Sequence, residues 1–124
     1  MITQLYQFED ERWVEITNIH PSKSIAANLI KIQLYKNKTG LQTIAPDVAY
    51  TVTSALAPGQ SVIFRNSKNV ITNIYSKAIT INNNDLTTLG GANDIITLSK
   101  VNGDNSYQKR YDIIENFSDK TSYV

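Results

Sequence analysis

A chain with one histidine and no cysteine has few places for catalysis to reside. Nucleophilic attack by Ser or Thr needs a base for the hydroxyl proton, and His20 is the sole imidazole. It stands before Pro21 in a loop of turn-forming residues, the setting of a plain surface histidine. Paired carboxylates are the next option, because two acids in different environments can divide general acid and base duties. Glu15 with Glu115, and Asp94 with Asp112 in one predicted hairpin, are the pairs that strand pairing could bring together. The simpler role for Glu15, Asp94 and Asp112 lies at strand edges and starts, where a carboxylate accepts from backbone N–H groups or pairs with Lys or Arg. Oxygen ligands occur in Asn82-Asn83-Asn84-Asp85 and in Asn93-Asp94, yet each stretch holds one carboxylate where calcium draws on several. Turn formation accounts for both clusters. The sequence therefore assigns no catalytic residue, no metal and no cofactor, and the chain reads as non-enzymatic.

Binding residues are easier to find. Seven tyrosines are many for 124 residues, and exposed phenol rings at loop edges contact proteins or stack on sugar rings. Tyr35, Tyr50, Tyr75 and Tyr107, with Lys109 and Arg110, form the candidate binding set, and Tyr111 adds a further ring. The competing role for these rings is to cover sheet rims, as tyrosine commonly does in β proteins. For nucleic acid, Lys31, Lys36, Lys38, Lys68, Lys77, Lys100, Lys109 and Arg110 would have to gather on one face. Acids are interleaved with them and the net charge is only +1, so no global field marks a dedicated nucleic-acid binder. Lysine on edge strands also blocks edge-to-edge association. A protein or surface polymer is the first partner class, nucleic acid the second and carbohydrate the third.

The elements that must position such residues are strands. No apolar run approaches the ~18 residues of a membrane span, and no basic segment followed by an apolar one opens the chain. Without cysteine there is neither a disulfide framework nor a thiolate metal site. The length suits one domain over residues 1–124, with a core over 10–117 and a frayed end over 118–124.

The clearest local signal is Ala55-Leu56-Ala57-Pro58-Gly59-Gln60-Ser61-Val62-Ile63-Phe64-Arg65-Asn66-Ser67. Pro58 presets the first corner of a tight turn, and Gly59 takes the positive φ of a type II second corner. The strand that follows alternates, with Val62 and Phe64 on its better-buried side. Residues 12–18 alternate likewise, Val14 and Ile16 against Trp13, Glu15 and Thr17. Residues 29–35 read as half-buried, with Ile30, Ile32 and Leu34 inward and Lys31 and Gln33 outward. Residues 41–44, 50–53 and 78–81 are further short strands, and at most a helical turn lies between 82–85 and 90–93. Residues 94–100 place Ile96 and Leu98 inward, and Asn102-Gly103 signals a tight hairpin whose return strand covers about 106–116. No stretch repeats at the helical period for three turns. Short strands separated by turns imply an all-β, immunoglobulin-like β-sandwich of about seven to eight mostly antiparallel strands. Its expected core is Val14, Ile16, Ile30, Ile32, Leu34, Leu56, Val62, Phe64, Ile96, Leu98 and Ile114.

Four stretches also resemble the lamin-tail domain family. Arg12-Trp13-Val14-Glu15-Ile16-Thr17-Asn18 is similar to its opening strand, an aromatic-valine-glutamate-aliphatic run closed by asparagine. Leu56-Ala57-Pro58-Gly59-Gln60-Ser61-Val62-Ile63-Phe64 resembles its central turn and strand, and Leu89-Gly90-Gly91-Ala92-Asn93-Asp94-Ile95-Ile96-Thr97-Leu98 its glycine-acid strand. Tyr111-Asp112-Ile113-Ile114 resembles its last strand. Ile25-Ala26-Ala27-Asn28-Leu29 stands where that family usually has a leucine-x-glycine-tryptophan segment, the mark of a divergent member. The resemblance implies an immunoglobulin-like sandwich and an interaction or targeting module of a larger, exported bacterial protein, extracellular or cell-surface. It implies no shared catalytic residues.

Overall fold

The computed structural model describes residues 1–8, 11–37, 45–67, 79–81, 83–87, 94–102, 110–115 and 122–123. Among them the chain builds β1 (Ile2–Phe8), β2 (Glu11–Thr17), β3 (Ile30–Tyr35), β4 (Val48–Thr51), β5 (Ser61–Arg65) and β6 (Ile79–Thr80). A single helical turn, α1 (Asn83–Thr87), precedes β7 (Ile95–Lys100), β8 (Arg110–Glu115) and β9 (Ser122–Tyr123). The strands form two sheets packed as a sandwich. One has the order β6-β5-β2-β1-β9 and the other β4-β3-β7-β8. Every pairing is antiparallel except the short β5/β6 one.

Period-2 alternation carries the core. Leu5 opposes Val14, and Val14 opposes Phe64, so one row of inward side chains crosses β1, β2 and β5. Ile32 opposes Leu98, and Leu34 opposes Ile96, which supplies the facing row from β3 and β7. These side chains and Ile2, Ile16, Ile30, Val52, Leu56, Ile81 and Leu86 form one buried cluster. The inward residues expected from the sequence lie in it, with Val62 half-buried against it. The side chain of Ile114 is outside the described residues. Leu86 carries α1 into the core, while Asp85 on the same turn accepts from Tyr50 Oη and from Lys36 Nζ at 3.2 Å.

The Pro58-Gly59 turn forms as the residue types dictate. Gly59 has φ of 80°, and Gln60 N donates to Ala57 O at 3.0 Å, the closing bond of a type II turn. A Cβ at Gly59 would meet nothing within 4 Å, so the backbone angle alone calls for glycine there.

Several expectations need correction. The polar opening residues belong to β1, whose Ile2 and Leu5 lie in the core before residue 10; of residues 118–124 only 122–123 are described, as β9 beside β1. β3 is buried along its whole length and not half-buried. Its outward polar residues are satisfied inside the protein: Gln33 Oε1 accepts from Thr97 Oγ1 at 3.0 Å and Ser99 Oγ at 2.7 Å, and Lys31 Nζ donates to Val101 O at 3.3 Å. The β7/β8 hairpin forms with Ser99 opposite Arg110. A two-residue turn at Asn102-Gly103 would instead set Ser99 opposite Ser106, so the connection is longer than that signal implies. β4 starts at Val48, two residues ahead of its expected start, and residues 41–44 lie outside the described residues.

Phe64 is 1% exposed and lies on the inward row of β5. Phe64→Ala is expected to cost about 3–5 kcal/mol in urea denaturation, whereas Ile63→Ala, half-buried on the opposite face, is expected to cost about 1–2 kcal/mol. Equal losses would contradict this assignment of faces.

Candidate functional site

The end of the sandwich where β2 leaves for β3 is held by one side chain. Asn18, 2% exposed, extends the β2/β5 pairing by its backbone, donating to Gln60 O at 2.9 Å and accepting from Gly59 N at 2.8 Å. Its Nδ2 donates to Lys23 O at 2.8 Å and Leu56 O at 2.9 Å, and its Oδ1 accepts from His20 N at 3.0 Å. One amide thus ties together the strand exit, the segment before the Pro58-Gly59 turn and both limbs of the connecting loop. Farther along, Ile25 and Leu56 exchange backbone bonds at 2.8 and 2.9 Å, and Val101 N donates to Leu29 O at 2.9 Å.

His20 is fixed by the same loop. Its Nδ1 accepts from Ser22 N at 3.1 Å and from Lys23 N at 2.9 Å. Two amide donors aimed at Nδ1 place the proton of the neutral ring on Nε2. The imidazole therefore presents Nε2–H as a hydrogen-bond donor, the reverse of a Ser-His pair, in which an unprotonated Nε2 takes the hydroxyl proton.

Around this loop lies an open cleft of ≈ 510 Å³ lined by Met1, Thr17, Asn18, Ile19, His20, Pro21, Lys23, Ser24 and Ile25. Ile19 is 65% exposed and Met1 51%. On the rim, Thr17 Oγ1 joins a hydroxyl chain, 2.6 Å from Ser61 Oγ and 2.7 Å from Thr3 Oγ1, which donates to Glu15 Oε1 at 2.6 Å. The Met1 amine donates to Thr17 O at 3.0 Å. Partial burial lowers its pKa from the ordinary 8.0, and the neighbouring Asp112 carboxylate works in the opposite direction.

The residues expected to bind do not converge on this cleft. Tyr35 is 1% exposed and forms a small cluster with Ile95 and Ile113, so its ring presents no surface. Tyr50 packs its ring against Phe64 at 6.4 Å and gives its hydroxyl to Asp85, which leaves it half-buried against the core. Tyr75, Tyr107 and Lys109 lie outside the described residues, as does the side chain of Arg110 on β8. Tyr111 is exposed. Tyr6 and Trp13 stack at 4.8 Å on the outward face of the first sheet, yet Trp13 is 2% exposed and offers no free platform.

Of the carboxylates, Glu15 is on β2 and Glu115 on β8, in different sheets, and the side chain of Glu115 is outside the described residues. Asp112 opposes Leu98 and accepts from Ile2 N at 2.8 Å, whereas Asp94 accepts from Asn37 N at 2.7 Å. Among the described residues no group of three His, Asp or Glu side chains is placed to hold a metal ion, and no helix is long and apolar enough to cross a membrane. The expected lysine face loses two members, since Lys31 is buried and Lys36 pairs with Asp85. What the residue types alone did not reveal is Asn18 and the exposed Ile19; the signal present was an isolated large aliphatic inside a loop of turn formers.

Comparison with family models, with curated proteins and with solved structures finds no match.

Asn18→Ala would remove the side-chain donor to Lys23 O and one of the two donors to Leu56 O, which keeps its bond from Ile25 N, and would take away the acceptor of His20 N. A loss of about 2–3 kcal/mol is expected in thermal or urea melts, and a loss below about 1 kcal/mol would contradict the role given to this amide. Gly59→Ala should cost about 1 kcal/mol through backbone strain alone.

Proposed function

We propose that this chain is a non-catalytic binding module, immunoglobulin-like and related to lamin-tail domains, that engages a protein or surface-polymer partner through the cleft at its loop end. The observation that carries the reading is the loop after β2, which is locked by Asn18 and holds exposed apolar and donor side chains around an open cleft. Binding sites favour such loops on rigid scaffolds, because ordering the site before contact lowers the entropy lost on association. The strand order supports the immunoglobulin-like type. The first, second and fifth strands share one sheet, while the third, fourth, seventh and eighth share the other, an arrangement with Greek-key character.

The lamin-tail relation rests on the four sequence stretches quoted above, and the asparagine closing the first of them is the residue that locks the loop. An exported or cell-surface setting accompanies that relation. The non-catalytic part of the reading is supported by the engagement of the candidate groups in internal bonds: Nδ1 of His20, and the carboxylates of Glu15, Asp85, Asp94 and Asp112. Nucleic acid ranks below protein because Lys31 and Lys36 are tied up inside the fold.

An amide-resolved NMR screen of the ¹⁵N-labelled chain tests this reading. Short peptides, soluble glycan oligomers and a random-sequence DNA duplex would be added separately, the duplex at low and at physiological salt. Peptide- or glycan-induced shifts centred on residues 17–25 are expected. Saturable duplex binding that weakens steeply with salt, with residues 17–25 silent throughout, would overturn it.

A further inference from the structure

The chemistry of the cleft is one-sided. Its lining includes Lys23, His20 and Ser24 and no carboxylate. Lys23 is exposed, and the ion pair found among the described residues is that of Lys36 with Asp85, so the Lys23 ammonium is open to a ligand. His20 has Nδ1 engaged by two amides, which leaves Nε2–H as an outward donor. The remaining polar groups on the lining are already engaged: the Asn18 amide with the loop, the Thr17 hydroxyl with Ser61 and Thr3, and the Met1 amine with Thr17 O. The rest of the wall is apolar. Met1 and Ile19 are two of the four exposed large hydrophobics among the described residues, and both line this cleft beside Pro21 and Ile25.

A ligand that satisfies both halves carries an anion directly attached to an aliphatic group. A neutral sugar would leave the apolar wall unmatched, and a polyphosphate would gain nothing from Ile19 and Pro21. A peptide ending in an aliphatic residue has the required form, with its terminal carboxylate and last side chain on one carbon, and capture of a chain terminus is a recurrent recognition mode. The cleft volume of ≈ 510 Å³ falls in the range of small-ligand sites.

We propose that this cleft captures the C-terminal carboxylate of a partner chain ending in an aliphatic residue. The Nε2–H of His20 and the ammonium of Lys23 hold the carboxylate, and Ile19 and Pro21 cover the side chain. The inference rests on the binding-module reading above and specifies the ligand chemistry of that same cleft.

The test is an NMR titration of the ¹⁵N-labelled chain with the N-acetylated tripeptide Gly-Val-Leu as free acid and as C-terminal amide. The free acid is expected to shift the amides of residues 17–25 saturably, and the amide to bind about tenfold more weakly. Lys23→Gln should weaken the free acid about fivefold and leave the amide peptide unchanged, with the spectrum of the strands intact. Ile19→Ser should weaken both peptides. Equal affinity for acid and amide would overturn the carboxylate inference while leaving the cleft a binding site. Silence of residues 17–25 with both peptides up to about 10 mM would overturn it too, and the glycan arm of the preceding screen then decides whether the module reading survives.

Discussion

A buried asparagine side chain decides the shape of the loop end of this sandwich. A carboxamide offers two donors and one acceptor oxygen, and burial makes each unmet bond costly. Asn18 meets these demands with partners from distant parts of the chain: Leu56 O, thirty-eight residues on, and Lys23 O and His20 N within the loop. Since its backbone also prolongs the β2/β5 pairing, the loop cannot shift without breaking the sheet's last rung. The loop's conformation is therefore a property of the sandwich and not of the loop's own residues. That distinction matters for recognition, because a site held by the core pays little ordering entropy when a ligand arrives.

The opposite end is organised by carboxylates. Asp47 accepts from Lys36 N at 2.7 Å, and Asp94 accepts from Asn37 N at 2.7 Å, where Asn37 turns the chain with φ of 51°. Asp85 draws α1 against Tyr50 and Lys36. Acids that resemble candidate catalytic groups in the sequence thus stabilise turn backbone and anchor a helical turn. Between the two ends, the second sheet is buried on its outward side as well, through Gln33, Thr97 and Ser99, each 0% exposed. A hydrogen-bonded trio of this kind fixes register, because slipping by one residue would bury the three polar groups without partners.

The fold class was legible because alternation and turn chemistry are local. Val14 and Ile16, or Pro58 and Gly59, state their roles within a few residues, and the inward rows follow from them. What was not legible depends on non-local partners. Gln33 reads as a solvent-facing residue until Thr97 and Ser99 are placed across the sheet, and Tyr35 reads as a rim tyrosine until Ile95 covers it. β1 is hard to read because a register shift between Ile2 and Gln4, at Thr3, breaks the alternation that would link the inward Ile2 and Leu5. The cleft was hidden for the same reason. In the sequence His20 reads as an isolated surface group, and its orientation depends on two backbone amides that only the folded loop aims at Nδ1.

Rigidity of the loop after β2 is the claim on which the functional account turns, and ¹⁵N relaxation of the free chain addresses it directly. Backbone order parameters for residues 19–25 are predicted to match those of the flanking strands, near about 0.85. Values below about 0.6 across that stretch would mean that Asn18 does not lock the loop and that the cleft is not formed before a ligand binds.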